Sequence, residues 1–124
     1  MKLRRKIYIK VNKGYFLSRL VGGNDDQRFD CDALNHPRTL AGNWKDLEVA
    51  ISEIILEYCG SIGRVIKPIL LIHLIPKFDG GYTTSELAIF KQVGENAGAH
   101  ICLMCDDKYG PLKNEELRDV FDVW

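Results

Sequence analysis

Apolar positions recur with a period of two near the start of the chain and about 3.6 further along, and these two rhythms divide it into elements. In residues 6–11, Ile7, Ile9 and Val11 alternate with Tyr8 and Lys10, the pattern of a half-buried strand. Asn12, Lys13 and Gly14 supply turn chemistry, with Gly14 free to take a positive φ, so residues 15–21 return as the second strand of a hairpin. A second turn follows at Gly22, Gly23, Asn24, Asp25 and Asp26. Residues 27–34 predict a third strand with Phe29, Cys31 and Ala33 on one face, although Asp30, Asp32 and Asn35 suit strands poorly.

The rhythm changes after His36 and Pro37, which interrupt regular structure. A helix is predicted from an N-cap at Asn43, with Asp46 near its positive end. Leu47, Ala50, Ile51, Ile54, Ile55 and Tyr58 form its apolar stripe, and Gly60 ends it. Residues 69–75 are almost wholly apolar, as a central parallel strand covered on both faces would be. His73 is the exception, expected to be half-buried with a hydrogen-bond partner. Thr83 and Glu86 make a capping box, and Tyr82 and Leu87 are placed for a hydrophobic staple. Leu87, Phe90, Val93, Gly94 and Ala97 face the sheet, with Gly94 permitting a close helix–sheet approach. Gly98 ends this helix, residues 100–104 make the last strand, and residues 111–123 hold a short helix with Leu117, Val120 and Phe121 as its apolar side.

The order is βββαβαβα in one domain spanning residues 1–124. This is an α/β fold with a mixed five-stranded sheet, the layout of ribonuclease H-like and actin-like domains. The third strand is expected at one edge, followed by the second, first, fourth and fifth, with only the second antiparallel to its neighbours' common direction.

Composition narrows the functional classes. Lys plus Arg and Asp plus Glu balance at 17 each, so no global charge draws the chain to nucleic acid or anionic lipid. Lys2, Arg4, Arg5 and Lys6 are basic, but no apolar run follows them as in a signal peptide. No segment approaches the ~18 apolar residues of a membrane helix, so stable membrane insertion is not expected. Cys31, Cys59, Cys102 and Cys105 are read as reduced thiols of a cytoplasmic protein. Cys102 and Cys105 have C-x-x-C spacing, yet three residues apart on a strand they point to opposite faces.

Several candidate chemistries fall away on residue type. A ribonuclease H-like nuclease needs an acid midway along the first strand, and residues 6–11 contain none. Ser52, Ser61 and Ser85 lie in no nucleophile elbow. Gly80, Gly81, Tyr82, Thr83 and Thr84 form a loop at a helix N-terminus, where anions bind, but no Lys precedes its Thr as in a phosphate loop. Asp106 and Asp107 follow a strand at the end of the sheet where ligands often bind, with Glu48 on a neighbouring helix. Trp44, Tyr82 and Trp124 are candidates for exposed aromatic surface.

The stretch from residue 36 to residue 107 resembles the first nucleotide-fold subdomain of the MreB family, the bacterial actins that shape rod cells. Leu40, Gly42, Asn43 and Trp44 lead from a Pro-containing loop into the amphipathic helix, and an apolar strand ends at Pro76. TTSELAIF from Thr83 to Phe90 is then followed by GENAGAH from Gly94 to His100. The opening KIYIKVNKGYFLSRL is similar to the family's first hairpin. The resemblance implies an actin-like fold. Actin-like ATPases carry an Asp-Leu-Gly-Thr type phosphate loop in that hairpin, where this chain has Asn12, Lys13 and Gly14. The family's second phosphate loop and adenosine site lie in a further half that this sequence does not contain. The expectation is a non-catalytic domain, without cofactor or metal, that acts by binding another protein or by self-association. The alternative is a small-ligand or metal-binding enzyme with its site near Gly80, Gly81 and Thr83 and near Asp106 and Asp107. A nucleic-acid role, resting only on the basic N-terminus, is not expected.

Overall fold

A computed structural model describes residues 4–23, 25–34, 44–77 and 80–122. Its strands are β1 (Lys6–Asn12), β2 (Tyr15–Leu20), β3 (Gln27–Asp30), β4 (Ile69–Leu74) and β5 (Ile101–Cys105). Its helices are α1 (Trp44–Cys59), α2 (Thr84–Asn96) and α3 (Asn114–Phe121). The sheet order is β3-β2-β1-β4-β5. β2 is antiparallel to β1 and β3, whereas β1, β4 and β5 run parallel. The chain is therefore the mixed α/β sheet that the alternation predicts.

Side-chain alternation divides the core into two layers. Ile7, Ile9 and Val11 stand beside Leu70, Ile72 and Leu74 in register, and with Phe16 and Cys102 they meet α1 and α2. Leu47, Ile51, Ile54 and Ile55 of α1 close this larger layer. The opposite sheet face carries Tyr8, Ile69 and Leu71, covered by Leu117 and Phe121 of α3. Tyr58 ties α1 to β2 by donating its hydroxyl to the Ser18 carbonyl at 2.7 Å.

Four local departures have physical causes. The third strand stops at Asp30, and residues 32–34 form a 3-10 turn in its place. There Cys31 donates its amide to Gly14 O at 2.9 Å, folding the segment over the hairpin tip. Gly60 starts a second 3-10 turn, Gly60–Arg64, at φ 61°. Tyr8 and Lys10 are buried rather than solvent-facing, because α3 and its connection cover the face that the alternation leaves polar. Val120 is 38% exposed, so among the described residues the buried apolar side chains of α3 are Leu117 and Phe121. The predicted break at His36 and Pro37 and the N-cap at Asn43 lie outside the described residues.

Candidate functional site

The loop after β4 and the acids after β5 do meet at one end of the sheet. A Cβ added to Gly81 would lie 3.8 Å from Asp107 Oδ1. Gly80 and Gly81 both have positive φ, 82° and 72°, which suits glycine and shapes this approach. Tyr82 is half-buried and donates its hydroxyl to Pro76 O at 2.6 Å. Burial raises its phenol pKa, and the nearby Asp107 and Glu86 charges add to the rise.

The α2 N-terminus is already capped from within. Glu86 donates its amide to Thr83 Oγ1 at 3.1 Å, and Thr83 returns its own amide to Glu86 Oε1 at 3.1 Å. The Glu86 and Asp107 carboxylates add negative charge beside this N-terminus, which opposes a phosphate there. Asp106 turns back on its own chain, accepting the Lys108 amide on Oδ1 at 3.1 Å. Among the described residues, no three His, Cys, Asp or Glu side chains gather as metal ligands. Glu48 belongs elsewhere: it accepts from Asn96 Nδ2 at 2.7 Å, at the far end of α2. That helix separates Glu48 from the Asp107 loop by roughly 18 Å at 1.5 Å per residue.

A buried polar cluster lies beneath the chain that joins β5 to α3. His73 Nε2 sits 3.1 Å from Asp106 O and 2.9 Å from Tyr109 O. Two carbonyls require the proton on Nε2, so Nδ1 accepts from the Tyr8 hydroxyl at 2.7 Å. Tyr8 in turn accepts the Leu112 amide at 3.0 Å. Burial holds His73 below its ordinary value of 6.5, so the neutral ring persists, and burial pushes Tyr8 up to about 12. Beside them Lys10 Nζ pairs with Asp26 Oδ2 at 2.7 Å, and Arg19 donates to Leu112 O at 2.8 Å. The proton positions are consistent throughout, so this cluster clamps the 106–113 segment onto the sheet. A buried cation on β1 also opposes the carboxylate cluster that two-metal nucleases build there.

Sequence alternation did not reveal this cluster. Tyr8 and Lys10 occupy positions that look solvent-facing, and the cluster's bonds span up to 104 residues of sequence. All four cysteines are free thiols. Cys102 joins the larger core layer and Cys105 the smaller, on opposite faces as their spacing requires. Burial raises Cys102 to about 12 and Cys105 to about 11, so neither offers a thiolate near neutral pH.

The outer surface holds a groove of about 320 Å³ between α1 and α2, lined by Trp44, Glu48, Ile89, Gln92, Val93 and Asn96. Trp44 is 51% exposed and Ile89 43%. Gln92 donates to Asn96, and Asn96 to Glu48, across its polar side. Trp124, the other candidate surface indole, lies outside the described residues. A second depression, of about 370 Å³, gathers Arg4, Arg5, Lys6 and Arg118 beside Val21 and Gly22. Among the described residues, no helix is long and apolar enough to cross a membrane.

Fold and surface together define the class: an α/β domain with a mixed five-stranded sheet and an apolar groove between its paired helices. In comparisons with known proteins, no family model matches the chain and no curated protein matches it.

Proposed function

We propose that this chain is a non-catalytic, actin-like domain of the cytoplasm that acts by binding a partner protein. The α1–α2 groove carries the proposal. An exposed indole and an exposed Ile flank a concave apolar surface between two helices, the setting into which an amphipathic helix lays its side chains. Aromatic anchors of this kind dominate interface energetics. The resemblance to MreB supports the actin-like part of the proposal, since the sheet order is the one it implies.

The first hairpin supports a non-nucleotide role. The Gly14 amide donates to Leu34 O at 3.3 Å, and Gly14 O accepts from Cys31, so the tip is committed to its own chain. Calorimetric titration with ATP and magnesium is expected to give no binding. Micromolar affinity would overturn this part. Capture of a partner from cell extract is expected to be lost with Ile89→Asp and weakened by Trp44→Ala, with the circular dichroism spectrum unchanged. Capture indifferent to both substitutions would remove the groove from the account.

A second function draws on the approach of Asp107 to Gly81, which favours a small-ligand or cation site at that sheet end. Titration with magnesium, manganese and zinc, followed by amide shifts, tests it. Silence at Gly80, Gly81, Thr83, Asp106 and Asp107 would leave it without support.

A further inference from the structure

Both α1 and α2 end at glycine, and a cleft opens where the two ends meet. Gly60, after α1, has φ 61°, and Gly98, after α2, has φ 124°, conformations that other residues rarely adopt. A Cβ on Gly60 would meet nothing within 4 Å, and one on Gly98 would come nearest Ile55 Cδ1, at 3.8 Å. Gly63 packs so closely on α1 that its Cβ would stand 2.8 Å from Cys59 Cβ. Bare backbone therefore walls a cleft of about 370 Å³, whose apolar surface comes from Ile55, Leu56 and Ala97. That volume lies in the range of small-ligand sites.

The rim of the cleft is positive. Arg64 and Lys67 line it, and among the described residues no carboxylate does. Both side chains are exposed, and among the described residues neither makes a hydrogen bond or an ion pair. Arg4 Nη1 donates to Lys67 O at 3.0 Å, which brings a third positive charge to this end of the sheet. The carbonyls at the helix ends are satisfied without these cations. Ile62 O accepts the Val65 and Ile66 amides, and the carbonyls of Val93, Gly94 and Glu95 accept from Ala97, Ala99 and Gly98. The Ser52 hydroxyl, also at the cleft, donates to Val49 O at 2.7 Å. The cleft thus offers a ligand two uncommitted cations beside an apolar wall.

We propose that this cleft binds a small apolar carboxylate, such as a short fatty acid. The carboxylate accepts from the Arg64 guanidinium, whose planar fork suits two oxygens, and from the Lys67 ammonium. The hydrocarbon tail covers Ile55, Leu56 and Ala97, which lie between the three glycines. A wholly polar anion would leave that wall in water, so the tail defines the ligand class as much as the charge does. The cleft shares no lining residue with the groove of Trp44 and Ile89, so it stands apart from partner binding there.

Sodium hexanoate and sodium octanoate, titrated into the full chain and followed by amide shifts, are expected to give saturable changes at Leu56, Gly60, Gly63 and Gly98. Octanoate should bind about tenfold tighter than hexanoate, since each buried methylene adds roughly threefold. 1-Octanol, with the same tail and no charge, is expected to bind about tenfold more weakly than octanoate. Arg64→Glu and Lys67→Glu, at exposed positions that leave the circular dichroism spectrum unchanged, should each weaken octanoate about tenfold and leave octanol as it was. Gly60→Asn keeps a residue that tolerates positive φ but puts a side chain into the cleft, and should weaken both ligands. Absence of saturable shifts at millimolar octanoate overturns the proposal. So does octanoate binding that equals octanol binding or ignores both charge reversals, and so do shifts confined to the Trp44 groove.

Discussion

At the level of single residues, close packing rather than hydrogen bonding sets the tightest constraint. A Cβ on Gly94 would stand 2.6 Å from Cys102 Sγ and 3.2 Å from Ile72 Cδ1. Gly94→Ala gains about 1 kcal/mol of helix propensity. Overpacking the contact costs about 1–3 kcal/mol, so a net loss of stability is expected in urea denaturation. Cys102→Ala removes the clashing sulfur, and the double variant should be more stable than Gly94→Ala alone. His73 supplies a pH-dependent term. The unfolded chain takes up a proton at the ordinary 6.5, while the buried ring, with its pKa lowered by desolvation, refuses it. Stability from this residue is therefore complete above 6.5 and falls as pH drops below it, levelling off once the buried ring is itself protonated. Urea denaturation from pH 8 down to roughly pH 5 should show the decline, and His73→Gln should flatten it.

Among the elements, α2 shows how far a local signal can carry. The capping box expected from Thr83 and Glu86 is present in full. Thr83→Ala should cost about 1 kcal/mol, measurable as a lower urea midpoint with an unchanged m-value. The main strands, α1 and the opposite placement of Cys102 and Cys105 were legible for the same reason: each depends on side-chain period within one segment. β3 was legible only in part. Its apolar alternation continues through Cys31 and Ala33, but Asp30 and Asp32 end the ladder and Cys31 bonds the hairpin tip instead. Burial of Tyr8 and Lys10 was not legible, since it depends on a layer contributed by residues 105–121. The meeting of Gly81 with Asp107 was anticipated from topology, because both follow parallel strands, whereas the internal capping that shapes its charge required coordinates. Exposure of Trp44 and Ile89 along one groove likewise emerges only when α1 and α2 are set side by side.

Across the whole molecule the two layers are unequal, and the inequality predicts how the fold opens. The α1–α2 layer buries a continuous set that includes Ile7, Ile9, Phe16, Ile54, Ile72 and Phe90. Among the described residues, the buried apolar set of the α3 layer is Tyr8, Ile69, Leu71, Leu117 and Phe121, joined by the polar clamp of His73, Tyr8 and Arg19 on the chain before α3. A small apolar layer joined by a few hydrogen bonds is the kind of unit that detaches below the global unfolding free energy. Phe121→Ala should cost about 3–5 kcal/mol where its aromatic ring is fully buried. That loss should fall mainly on the α3 layer. Native-state amide exchange should then quicken at Leu112, Leu117 and Val120 while β1 and β4 keep most of their protection. Ile54→Ala, in the larger layer, should lower protection in every strand together. Equal acceleration of all strands by Phe121→Ala would instead mean that α3 and the sheet open as one cooperative unit, with the His73 clamp coupling the layers more tightly than their buried areas suggest.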